Sequence, residues 1–193
     1  MIRPSDEEEK YFTALEIEQR NALRKKLAKN AAELEEQRKI AATTGTNDLE
    51  LADRISKLGF DGDSARVFDL LPLIHVAWAD GTIQKGERAA ILRVLEARGV
   101  EPGSEAFTIV ESLLEERPTD AFMNESLAVL RELVAHTDNR SKSILDLCVE
   151  VASSAGGFLG LGAKVSDDER EVILEVAASL GEGAIAKLRE QLG

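Results

Sequence analysis

The chain reads as an all-α protein: a helical bundle of two related helical hairpins, preceded by a long N-terminal helix. Two observations carry that expectation. Composition is one: 44% of the 193 residues are hydrophobic but only 4% aromatic, with four prolines, while Ala, Leu, Glu, Arg and Lys dominate, the usage expected when helices carry the fold. The other is periodicity, because apolar residues recur at helical spacing in segments that open on capping residues and close on glycine. No segment alternates as a strand would.

Residues 6–42 read as one helix, opened by Asp6 and three glutamates, with apolar residues at Phe12, Leu15, Ala22, Leu23, Leu27, Ala31, Leu34 and Ala41. Acidic residues suit the electropositive start of a helix. The stripe is thin and interrupted by Gln19, Asn30, Gln37 and Arg38, so this helix is expected to pack on the domain, on a second copy or on a partner. The polar turn 43–48 ends it, which divides the chain into an arm and linker, 1–48, and a helical domain, 49–193. Asn47 or Asp48 caps a short helix, 49–58, closed by Gly59.

Ser64 opens an apolar element, 65–79, in which Pro72 should produce a kink near Leu70 or Leu71. It stops at Asp80 and Gly81. Helices follow at about 85–98, with Ile91, Leu92, Val94 and Leu95 as the core face and Gly99 as terminator. The next run is 104–116, stopped by Pro118, and then 120–136, capped by Thr119. A helix over 141–154 leads to a glycine-rich apolar loop, 155–163. Ser166 and Glu169 then form a capping box for a helix ending at Gly181, and a last helix spans about 184–192. Connections this short predict antiparallel neighbours.

The chain repeats itself. Glu87, Arg88, Ile91, Leu92 and Val94 return 82 positions later as Glu169, Arg170, Ile173, Leu174 and Val176, and Gly99 returns as Gly181. Upstream the offset is 75, from Val76–Gly81 to Val151–Gly156, so the second copy carries seven extra residues. The repeat spans about 65–99 and 141–181. Each copy is a hairpin with an apolar first helix, a glycine turn and a glutamate in the first turn of the second helix. Neither buries its apolar face alone, so the two should pair with their turns adjacent.

The run His75, Val76, Ala77, Trp78, Ala79, Asp80, Gly81, Thr82, Ile83, with Glu87 in the next helix, resembles the TerB-like family of tellurite-resistance proteins and relatives, over about residues 50–193. The resemblance implies two related helical hairpins, a place in bacterial stress response and a divalent-cation site. The second copy departs from the pattern: Ala155 and Gly156 stand where an Asp-Gly turn would repeat, so acidic ligands there must come from Asp167, Asp168 or Glu169.

The candidate metal set is therefore Asp80, Glu87, Asp167 and Glu169. Hard carboxylates without imidazole or thiolate suit Ca²⁺ or Mg²⁺ rather than zinc. The competing reading makes Asp80 a turn cap and the two glutamates partners of free backbone amides at helix starts. His75 and Trp78 share a helix face and could line a pocket beside the turn, and His136 reads as a helix C-terminal cap. Phe158, Leu159 and Leu161 in the glycine-rich loop either fill the groove between hairpins or dock a partner. That loop lacks the Lys-Ser/Thr ending of a P-loop.

Net charge is −12, and residues 1–48 hold 9 basic against 10 acidic side chains, so the excess acid lies in the domain. Such a surface repels phosphate backbones and anionic lipid, which argues against nucleic acid and membrane as partners. Cys148, the sole cysteine, lies in an apolar run and is expected to be a buried thiol. No signal-like stretch or membrane-length apolar run is present, giving an expected cytoplasmic location. With no nucleophile–base pair or cofactor motif, the sequence points to a non-enzymatic interaction or scaffold protein that binds protein partners and self-associates through its N-terminal helix. The alternative is a divalent-cation-binding stress protein.

Overall fold

A computed structural model describes residues 6–135, 138–154 and 167–180. Among them are eight α-helices and no strand. They are α1 (Asp6–Thr44), α2 (Leu49–Lys57), α3 (Leu71–Ala77), α4 (Lys85–Ala97), α5 (Glu105–Glu115), α6 (Asp120–Val134), α7 (Asp138–Ser154) and α8 (Asp167–Leu180). A 3₁₀ helix, Ser64–Leu70, precedes α3.

Helix starts follow local chemistry. The Asp48 carboxylate accepts from the Glu50 and Leu51 amides at 2.8 and 3.2 Å, Ser104 Oγ accepts from Phe107 N–H, and Thr119 Oγ1 accepts from Phe122 N–H. Each satisfies an amide that the first helical turn leaves without a partner. Gly81 and Gly99 hold φ of 87° and 70°, the left-handed conformation that a side chain would strain.

The expected kinked element over 65–79 is instead two elements. The chain runs as a 3₁₀ helix to Leu70, and α3 starts afresh at Leu71 with Pro72 in its first turn. Proline lacks an N–H, and in a first turn none is required, so a new start costs less than a kinked interior.

The core is continuous from Ile40 to Leu180. Apart from the packing of α1 on α2, much of it joins elements distant in sequence: α7 lies against α3 and α4, α8 against α3 and α6, and α2 against α6. The expectation that consecutive helices are the main neighbours holds for α1 with α2 and α7 with α8, whereas α4–α5 and α5–α6 are not among the principal packings. The apolar faces of α3 and α4 are closed by the second hairpin, α7 and α8, rather than by the next helix along the chain. Polar ties support this packing. Arg54 donates to Glu125 and Glu132 at 2.7 Å each, joining α2 to α6, and Arg98 reaches Asp69 at 2.6 Å.

The last two turns of α1 belong to this core. Ile40, Ala41 and Thr44 are buried. Glu36 accepts from Gly62 N–H at 2.6 Å, Thr43 donates to Gly62 C=O at 2.6 Å, and Gln37 donates to Asp53. A Cβ on Gly62 would stand 2.6 Å from Lys39 Cβ, so glycine is required where the loop crosses α1. From Tyr11 to Glu35, by contrast, every residue is exposed. No helix among the described residues is long and apolar enough to cross a membrane.

This division makes a direct expectation for stability. Ile40→Ala should lower the unfolding free energy by about 2–5 kcal/mol, as for other buried large-to-Ala changes, whereas Leu27→Ala, at a side chain 57% exposed, should change it by under about 0.5 kcal/mol. Chemical denaturation of the two variants checks both values.

Candidate functional site

Glu87 lies in the first turn of α4 and Glu169 in the first turn of α8, equivalent positions of the repeat. The packing of the two hairpins brings them together. Both are buried, 2% and 5% exposed, and their carboxyl groups hydrogen-bond to one another. Glu87 Oε2 also accepts from Gln84 N–H at 2.7 Å, closing a capping box. The helix-capping role expected of Glu87 is thus observed, and an inter-hairpin bond is added to it.

Two carboxyl groups can share a hydrogen bond only if one carries a proton. Burial favours the neutral acid, pushing Glu87 up to about 7, and the hydrogen bond and charge of Glu169 and the charge of Asp80 act in the same direction, against the pull of the Gln84 amide. This is the expected physics of a carboxylic acid removed from water beside other acids.

The other predicted ligands are arranged differently. Asp80 is exposed and caps its turn, accepting from Thr82 N–H at 2.9 Å. Asp167 and Asp168 are exposed at the start of α8. Among the described residues, no three His, Cys, Asp or Glu side chains group as a metal site would require. Glu87 and Glu169 supply hard oxygens, but two carboxylates fall short of the roughly six ligands that Ca²⁺ or Mg²⁺ takes. Phe158, Leu159, Leu161 and His136 lie outside the described residues.

His75 and Trp78 border a cleft of about 330 Å³ together with Arg117, Asp120, Asn124 and Glu175. Burial lowers the His75 imidazole to about 4, so it is neutral, and its Nε2 sits 3.4 Å from Ser126 Oγ. Trp78 Nε1 donates to Leu113 C=O at 2.9 Å. Ser126 Oγ itself donates to Met123 C=O at 2.8 Å. Cys148 is fully buried, and burial pushes its thiol well above the usual range.

The second unusual surface is the exposed part of α1. Of the nine large hydrophobic residues exposed on the described structure, seven are on this arm: Tyr11, Phe12, Leu15, Ile17, Leu23, Leu27 and Leu34. The arm's interest was legible from its thin stripe. The inter-hairpin glutamate bond was not foreseen, although the 82-residue offset placed its two members at matching turns.

The fold and these two features define an all-helical protein with a buried acid pair at its centre and an uncovered apolar arm. Comparison with protein-family models, curated proteins and solved structures finds no match for this chain.

The raised Glu87 makes a pH signature. Its protonated form is favoured in the folded state, so its contribution is complete below about 4.5, its unfolded value, and is lost as pH rises through about 7. His75 is shifted the opposite way, gaining stability with rising pH over nearly the same range, so the signature lies in a difference. Glu87→Gln keeps the hydrogen bonds without the titration. Its stability relative to the parent should rise by roughly 1–3 kcal/mol between pH 4.5 and 8, and urea unfolding at several pH values reads it. A constant difference would remove the shared proton.

Proposed function

We infer that this protein is a non-enzymatic interaction or scaffold protein, of the TerB-like bacterial stress-response type, whose helical domain presents the exposed arm of α1 to a protein partner. The observation that supports this best is the arm itself. It is helical for over six turns beyond its last domain contact, yet its apolar residues face solvent. A lone helix in water gains little from propensity and depends on burying one face. Large apolar surface held in the open marks an interaction site.

The domain's role is to hold the arm. Its acidic surface favours a basic or mixed-charge partner. The TerB-like assignment rests on the residues from His75 to Ile83 with Glu87, and the mutual packing of α3, α4, α7 and α8 is compatible with it. A divalent-cation function is the second reading, supported by the convergence of Glu87 and Glu169.

Removing residues 1–35 separates these readings. The shortened chain should melt within about 2 °C of the full chain, since residues 11–35 are all exposed, while losing all assembly with itself or with a partner in sedimentation and affinity capture. Assembly undiminished by the deletion would refute the arm as the working surface. Under this reading millimolar Ca²⁺ or Mg²⁺ leaves the melting temperature of the full chain unchanged. A rise abolished by Glu87→Gln would instead establish the cation function, because a ligand of the native state stabilises it by mass action.

A further inference from the structure

We propose that the partner of the arm is a second copy of this chain, paired antiparallel about Gln19. The inference rests on the arm being the working surface and adds what covers it and in which direction.

Charge distribution carries the argument. Residues 6–18 contain Asp6, Glu7, Glu8, Glu9, Glu16 and Glu18 against Lys10, a net charge of −5. Residues 20–32 contain Arg20, Arg24, Lys25, Lys26 and Lys29 and no acid, a net charge of +5. The two blocks are equal in length and opposite in sign on either side of Gln19. A parallel, in-register pair would lay acid on acid and base on base along the whole contact. An antiparallel pair centred on Gln19 lays each acidic block on the other copy's basic block. Charges flanking a helix–helix seam select partner and direction in this way.

An apolar stripe runs through the same segment. Phe12, Leu23 and Leu34 recur every 11 residues, a repeat of about 3.67 residues per turn that keeps a seam nearly straight along the helix. Around Gln19, Leu15 falls opposite the partner's Leu23, and Leu27 opposite the partner's Tyr11. Gln19 then meets the partner's Gln19 on the twofold axis. A polar residue inside an apolar seam penalises every register that leaves it unpaired.

The available length agrees. The overlap of an antiparallel pair centred on residue 19 runs from 6 to 32. The uninterrupted exposure of α1 ends at Glu35, and contacts with its own domain begin at Glu36. The free part of the helix therefore accommodates the overlap of residues 6–32. The two domains lie at opposite ends of the pair.

The test uses the full chain. Light scattering across a concentration series should show a dimer. A spin label on Lys29→Cys should report an intermolecular separation of about 30 Å, from twenty residues at a rise of about 1.5 Å; a parallel pair would give about 10–15 Å, near the helix–helix spacing. The label goes to the added cysteine because Cys148 is fully buried.

Two charge variants guard against a simple loss of the helix. One changes Arg24, Lys25, Lys26 and Lys29 to Glu, the other Glu7, Glu8, Glu9 and Glu16 to Lys. Each alone should dimerise at least tenfold more weakly, and an equimolar mixture should form a heterodimer. A monomer at all concentrations, a short distance at residue 29, or charge variants that dimerise like the parent would overturn the proposal. If the chain is monomeric but loses a different protein partner on deletion of residues 1–35, the interaction function stands and self-pairing falls. If the deletion removes no assembly of either kind, both fall.

Discussion

Everything distinctive about this molecule depends on how α1 is fixed at one end only. Ile40, Ala41 and Thr44 are buried, and Gly62 is bonded to both Glu36 and Thr43 across a contact too close for any side chain. Those two turns commit the helix direction, and the remaining turns must follow it into solvent. A helix anchored this way is more than a frayed extension. Its nucleation cost is already met within the domain, so a partner has only to cover a face that is already formed. Preorganisation of that kind reduces what association must spend on ordering.

The second constraint lies deeper. Glu87 and Glu169 meet where the two hairpins close, and burial, with the Glu169 carboxyl beside it, favours the protonated form of Glu87, which lets two acids occupy the same space. Ionised together they would repel with little solvent to screen them. The pair thus links hairpin closure to protonation, and it does so in a domain whose net acidity supplies further repulsion. Because both glutamates also sit in first helical turns, where backbone amides need acceptors, the sequence can retain acids at a buried site. The arm and the pair have separate tasks. One offers surface, and the other holds the scaffold that aims it.

Much of the fold was legible because its signals are local. Asp48, Ser104 and Thr119 announce helix starts through bonds made within three residues, and Gly99 announces a stop through its own φ. What misled was also local. Pro72 within an apolar run suggests a kink, but the same missing N–H suits a first turn equally well, and only packing decides between them. Loop lengths limit reach without choosing partners, and it was the internal repeat, which pairs the two hairpins, that anticipated α7 against α3 and α4. Of the candidate site, Glu87 and Glu169 were visible as matching residues of a repeat. Their contact depends on how two hairpins dock, a non-local fact. Asp80 was read both as a ligand and as a turn cap, and its carboxylate accepts from Thr82 N–H.

Hydrogen exchange along α1 in the full-length protein tests most directly whether the arm is a surface made to be covered. Amides from Tyr11 to Ala32 should show only the modest protection of a solvent-exposed helix in dilute solution and become more strongly protected as protein concentration rises, while the core helices stay unchanged. Protection over those residues that stays modest and independent of concentration, in the presence of host proteins as well, would contradict the account.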